Sequence, residues 1–244
     1  MLPLDMRRPP PMPLHYALWL PTATLPAQPP LVLLLHGSGS NEQDLLPLAP
    51  LFSDALGGAV VASLRGPYEQ LGGYAWFHGN SARPPRVALD QQIGDSADKV
   101  AAFLDAAPAA LGTDGARAHL FGFSQGATVG WAVALSPWAR ADLLARLIVF
   151  SGRLMPELLD PATPLGKRLG ACSRDALAAR PAVLGGHGTA DPITPIEIGR
   201  ENVRLARKAG LELDWYEHGG GHGLDADVMG WISARLGRQS CAAA

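Results

Sequence analysis

Gly122-Phe123-Ser124-Gln125-Gly126 sets one serine between two glycines. The strand-like run His119 to Phe123 precedes it and the helix-like run Gly126 to Leu135 follows. A serine hydroxyl is a poor nucleophile at neutral pH and needs a base. On a tight strand-to-helix turn it stands clear of the sheet, and flanking glycines leave space where side chains would collide. The helix N-terminus behind it favours negative charge developing nearby. In a strand–turn–helix setting of this kind an acid and then a histidine follow along the chain. His222 fits the base: it sits in Gly219-Gly-Gly-His-Gly223, after the last strand-like run and before the last helix-like one. Asp191 fits the acid: it sits in His187-Gly-Thr-Ala-Asp-Pro192, just past the strand-like Ala182 to Leu184, at the sheet edge where open α/β folds bind ligands. A carboxylate there would fix the imidazole tautomer and stabilise the imidazolium. His218 is the rival base, with its direction set by the pleat of its strand. Asp160 and Asp214 are the weaker acids.

A serine attacking a carbonyl also needs donors for the oxyanion. Gln125, next after the serine, offers one backbone N–H. The other is expected from His36-Gly37-Ser38-Gly39-Ser40, whose glycines let the backbone come close to a substrate, and Ser38 is assigned as that donor. The same loop lacks the lysine of a phosphate-binding loop and the glycine spacing of a dinucleotide site. A metal held by His187, Asp191 and His222 is conceivable, but no His-Glu-x-x-His pairing is present, so no metal is expected. His36 and His187, each before a glycine at a strand end, are expected to hydrogen-bond their own loops.

The elements that must position these residues are legible as alternation. Leu31 to Leu35 and Ala59 to Ser63 are short, continuously apolar runs, the pattern of strands buried on both faces. Leu147 to Phe150 and Asp214 to His218 are further strands, and Leu14 to Leu20 an edge strand. Three prolines in Pro26 to Pro30 mark a connector. Gln91 to Ala107, Ile196 to Ala209 and Asp225 to Leu236 have apolar residues at helical spacing, with Asp225 as an N-cap. Strand–helix alternation implies right-handed crossovers and a mostly parallel sheet. Leu154 to Arg180 is less regular and is either a short lid or a simple excursion.

The 244 residues fit one domain, 1–244, with a Pro-rich extension over 1–13 and a frayed tail over 238–244. The chain is 48% hydrophobic and 17% charged, a globular composition. A net charge of -2 gives no basic stripe for nucleic acid or an anionic membrane. Two cysteines, Cys172 and Cys241, argue against a disulfide framework. The start of the chain has no continuous apolar segment, so no signal peptide is read, and a soluble cytoplasmic protein is expected. Cys241-Ala-Ala-Ala244 formally fits a prenylation box but reads better as an Ala-rich end.

Taken together, Leu35-His-Gly-Ser-Gly-Ser-Asn-Glu42, Gly72-Gly-Tyr-Ala-Trp-Phe77, Gly122-Phe-Ser-Gln-Gly-Ala127, His187-Gly-Thr-Ala-Asp-Pro192 and Gly221-His-Gly223 resemble the phospholipase/carboxylesterase family. These are small α/β-hydrolases that include acyl-protein thioesterases and bacterial carboxylesterases. The resemblance covers nearly all of the chain after about Leu14. It implies an α/β-hydrolase fold with a mostly parallel central sheet, helices on both faces and little or no cap. It implies hydrolysis of small-molecule carboxylic esters or thioesters without cofactor, by a monomer or homodimer. It places the triad on Ser124, Asp191 and His222 and the oxyanion donors on Ser38 and Gln125. Ser38 stands where the thioesterase branch usually has an apolar residue, and Asn41-Glu42 looks like the small bacterial esterase branch. Trp76 and Phe77 match a segment that borders the active site in the family. An acyltransferase on the same triad, or a non-catalytic binding protein of this fold, are the alternatives.

Overall fold

The computed structural model describes residues 10–79, 86–136, 143–168 and 181–237. The chain's two cysteines, most of the Pro-rich extension, the tail over 238–244 and the stretch 169–180 lie outside these residues.

Seven strands build one sheet: β1 (Tyr16–Trp19), β2 (Leu31–Leu35), β3 (Val60–Leu64), β6 (Ala118–Phe123), β7 (Leu144–Phe150), β8 (Ala182–Gly188) and β9 (Leu213–His218). Their order is β1-β3-β2-β6-β7-β8-β9. Only the edge strand β1 runs antiparallel, pairing Tyr16 with Leu64. The other neighbours are parallel, as strands joined through crossovers must be. A separate two-stranded hairpin, β4 (Tyr68–Gln70) and β5 (Gly73–Ala75), was not legible in the sequence.

The pleat explains the apolar runs. Leu31, Leu33 and Leu35 of β2 face one core, while Val32 and Leu34 face the other. On the first face lie α2 (Arg86–Leu111), through Ile93, Val100 and Phe103, and α3 (Gln125–Leu135), through Ala127 and Trp131. On the opposite face lie α1 (Ala49–Ala55), through Phe52, and the last helix α6 (Ala226–Gly237), through Val228, Ile232 and Leu236. Asp225 caps α6 as expected, its Oδ1 accepting the Val228 N–H at 2.9 Å. The five-residue α4 (Pro164–Arg168) and the longer α5 (Ile196–Lys208) complete the α-helices among the described residues. α2 begins before the predicted Gln91 and runs past Ala107 through Pro108.

As far as residue 168, the irregular segment packs down onto the body of the protein. Leu154, Leu158 and Leu165 are buried in the first core, and Arg168 pairs with Asp95 and Asp98 of α2 at 2.6 and 2.7 Å. No helix among the described residues is long and apolar enough to cross a membrane. The mostly parallel sheet is the one that the strand–helix alternation predicted, and the whole is the α/β-hydrolase arrangement that the resemblance implied.

The register sets up the site. Leu35 is paired with Gly122, so β2 and β6 end side by side. The chain leaves β2 toward one edge of the sheet and leaves β6 toward the other, and open sheets bind ligands at such a switch point. Phe123 is level with Phe150, and Gly188 with His218, so the loops after β2, β6, β7, β8 and β9 share one edge.

Candidate active site

Ser124 lies between β6 and α3 with φ 54° and ψ -116°. A non-glycine residue rarely adopts that backbone, and it persists only where its surroundings over-determine it. Its N–H donates to the Phe150 carbonyl at 2.9 Å, tying the turn to β7. Both flanking glycines are sterically required. A Cβ on Gly122 would come within 2.5 Å of the Gly126 carbonyl oxygen, and one on Gly126 would collide with the Leu35 carbonyl. The turn is therefore wedged between its own helix and the end of β2.

His222 reaches this turn from the glycine loop after β9. Its Nε2 lies 3.0 Å from Ser124 Oγ and its Nδ1 2.7 Å from Asp191 Oδ2. Phe123 packs against the imidazole with ring centroids 5.0 Å apart. The Asp191 side chain is fully buried. Burial alone would raise its carboxyl, but the Thr194 N–H, the His222 imidazole and the Ile193 N–H outweigh that and hold it below its usual 3.8. Both N–H bonds to Oδ1 are 2.8 Å. An ionised carboxylate only accepts, so His222 Nδ1 carries the proton and Nε2 presents its lone pair to the serine.

The other candidates are held elsewhere. Buried His218 accepts the Gly220 N–H on Nδ1 at 3.3 Å and lies 3.5 Å from Asp225. Asp214 pairs with Arg235 at 2.6 Å, and Asp160 accepts the Ala162 N–H at 2.8 Å. Among the described residues no group of three or more His, Cys, Asp or Glu is placed to hold a metal.

His36 and His187 bond their loops. His36 Nδ1 donates to the Gly37 carbonyl at 2.6 Å while Nε2 accepts the Gly66 N–H at 3.0 Å. Burial pushes this imidazole below 6.5. His187 Nε2 donates to the Thr194 carbonyl at 2.7 Å and sits 3.4 Å behind Asp191 Oδ2. It thus backs the loop whose N–H groups hold the Asp191 carboxylate.

Ser38 and Gln125 lie on the two loops that the register makes neighbours. A Cβ on Gly37 would stand 3.4 Å from Ser124 Cβ, so the β2 loop runs against the serine. The hairpin holds this loop in place. Gly39 N–H donates to the Tyr74 carbonyl at 2.8 Å, Tyr74 N–H to the Ser40 carbonyl at 2.6 Å, and Gln70 Nε2 to Ser38 Oγ at 2.6 Å. Glu42, buried, takes both ends of Arg65 at 2.6 Å, and that hydrogen-bonded pair holds the carboxyl at about 2.

A cleft of about 560 Å³ opens beside Ser124. Phe77, Leu89, Ile93, Met155, Ile193 and Ile198 give it an apolar wall, with Gln125, Thr128, Ser151 and Arg153 among the polar residues. Phe77 borders it as the resemblance implied. Trp76 does not: its side chain is fully buried and its indole N–H donates to the His36 carbonyl at 2.9 Å. Trp76 instead touches the site through its backbone N–H, which donates to Gln125 Oε1 at 2.9 Å, while Gln125 Nε2 donates to the Phe77 carbonyl at 2.7 Å. The Gln125 side chain is thereby turned into a brace. On the other side of His222 lies a smaller recess of about 250 Å³, lined by Leu45, Leu48, Phe123, Leu224 and Asp44.

Sequence reasoning missed the β7 end of the site. Ser151 is buried at φ 53°, a second strained serine at the same sheet edge. Gly152 is pressed so closely on the Ser124 turn that a Cβ would lie 2.6 Å from the Ser124 carbonyl oxygen. Asn202 of α5 clamps this segment from both sides, accepting the Leu154 N–H and donating to the Gly152 carbonyl, each at 2.8 Å. The Ser-Gly step after an apolar run was the one local signal, and nothing near Asn202 in the sequence marks it.

A sequence model of the Phospholipase/Carboxylesterase family matches residues 23–237. Among solved structures, esterase PE8 is 25% identical with a TM-score of 0.75, over 93% of this chain and 98% of that one. The Bacillus cereus carboxylesterase is 22% identical with a TM-score of 0.69, over 92% and 94%. Arabidopsis thaliana SOBER1 is 20% identical with a TM-score of 0.65, over 86% and 99%, and like the Bacillus protein it shares the fold. With most of its length matched by one family, the chain belongs to the phospholipase/carboxylesterase family and is an α/β-hydrolase of the carboxylesterase type.

Proposed function

We propose that the protein hydrolyses carboxylic esters through an acyl-enzyme on Ser124, with His222 as general base and Asp191 as the acid that orients it. One observation carries this reading: the unbroken chain from Ser124 Oγ through His222 to Asp191, at 3.0 and 2.7 Å, beside an apolar cleft. His222 Nε2 takes the hydroxyl proton as Oγ bonds to the substrate carbonyl carbon. The carbonyl oxygen becomes an oxyanion held by the backbone N–H groups of Ser38 and Gln125. The C–O bond then breaks and the alcohol leaves with the proton from His222. Water, giving its proton to the same nitrogen, attacks the acyl-enzyme, and the acid and free Ser124 are released.

Two features support the oxyanion assignment. Gln125 opens α3, where the first N–H groups have no acceptor within the helix. The Ser38 loop is held by the hairpin at Gly39, Ser40 and the Ser38 side chain, bonds that leave the Ser38 N–H unused. Thioesters present the same carbonyl to the same groups and belong to the substrate range tested.

The test is turnover of p-nitrophenyl esters from acetate to long acyl chains, with matched thioesters, by wild type and Ser124→Ala. Wild type is expected to hydrolyse at least part of the series. The variant, folded by circular dichroism, is expected to lose about 10⁵–10⁶-fold in kcat. Near-wild-type turnover by Ser124→Ala would sink the assignment.

A further inference from the structure

We propose that Arg153 selects substrates whose acyl part ends in an anionic group, so that the preferred esters are monoesters of dicarboxylic acids. This rests on the reading of Ser124 as nucleophile.

Among the described residues, Arg153 is the only one of Asp, Glu, Lys or Arg type lining the cleft that holds Ser124. It is exposed, and among the described residues no carboxylate lies within 4 Å of its guanidinium. Glu201, which feels its charge, is engaged by both arms of Arg204 at 2.6 Å. Arg117, Arg168, Arg200, Arg204 and Arg235 each pair with an acid on the surface. Arg153 instead faces a cleft with an apolar wall.

Its backbone is fixed. Ser151 before it is strained, Gly152 is wedged against the nucleophile turn, and the Asn202 clamp closes on both neighbours. The Arg153 N–H itself donates to Thr128 Oγ1 of α3 at 3.2 Å. The stem of the side chain is thus anchored to the same helix that starts at the nucleophile. A guanidinium stays charged throughout the working pH range and matches a carboxylate with paired donors. His78, on the same cleft, is a neutral or cationic neighbour and adds no competing negative charge.

The position of His222 decides which half of the ester meets Arg153. Its Nε2 must reach the leaving oxygen, so the alcohol lies on the His222 side. His222 lines the smaller recess and not the cleft. The acyl part therefore occupies the cleft, with its far end toward Arg153.

The experiment compares kcat/KM for monoethyl esters of diacids from succinic to suberic with neutral ethyl esters of equal chain length, followed by pH-stat. Wild type, Arg153→Gln and Arg153→Glu are each measured at low and high salt. Wild type is expected to favour the anionic member of at least one pair. Arg153→Gln should lose about tenfold more on that anionic ester than on its neutral partner, chiefly in KM. Arg153→Glu should lose more still, and salt should erode the preference only in wild type. Equal losses on both esters, or no loss, would overturn the role of Arg153 while leaving the esterase reading intact. No turnover of any ester by wild type, neutral ones included, would overturn both.

Discussion

At the scale of single residues, the site is a matter of which nitrogen holds a proton. Asp191 spends Oδ1 on two backbone N–H groups and keeps Oδ2 for His222. Asp191→Asn would keep the Oδ1 contacts but put an NH₂ opposite Nδ1. The imidazole would then turn over its tautomer and offer the serine an N–H in place of a lone pair. The expected result is a fall in kcat of about 10⁴-fold with KM little changed, read by steady-state kinetics on a short-chain ester. The convergence of these residues was legible because such chemistry favours local patterns: glycines around a strained serine, a glycine loop around an imidazole, a turn around a buried carboxylate. Trp76 was misplaced because its aromatic neighbour Phe77 looks alike in sequence. Only the fold beyond β5 sends one ring into the core and the other to the cleft. The place of Arg153 on the cleft and the bracing side chain of Gln125 were invisible, since both depend on segments far away in the chain.

At the scale of elements, the strands of the main sheet could be read because burial on both faces leaves continuous apolar runs. The β4–β5 hairpin could not, because two three-residue strands around Leu71-Gly72 are too short to show a period. It is nonetheless what holds the Ser38 loop. The clamp from α5 is the second long-range device. Asn202→Ala would strand the Leu154 N–H and the Gly152 carbonyl in a buried setting, at a cost of roughly 2–4 kcal/mol. Calorimetry should show a Tm lowered by about 5–12 °C.

At the scale of the whole molecule, acid sensitivity should have a source far from the active site. His119 on β6 is buried opposite Arg146 of β7. Burial first, then the charges of Arg146 and Arg117, push its imidazole from 6.5 down to about 4. The unfolded chain takes up that proton near pH 6.5, whereas the fold refuses it until about pH 4. Stability is therefore complete above pH 6.5 and is lost progressively as pH falls to 4. Glu42, held at about 2 from an ordinary 4.5, acts in the lower window between those values, again losing stability as pH falls. Thermal melts of wild type and His119→Leu at several pH values test this. The variant's Tm should depend less on pH between 6.5 and 4, and an unchanged slope would assign the acid sensitivity to other groups.

The loop that carries the acid has a further consequence. Ile193 is two-thirds exposed on the wall of the cleft, and its own N–H is one of the two that grip Asp191. An acyl chain placed in the cleft as proposed would lie against the side chain of the residue whose backbone N–H steadies the carboxylate. Under that reading, filling the cleft and steadying Asp191 would fall to one residue.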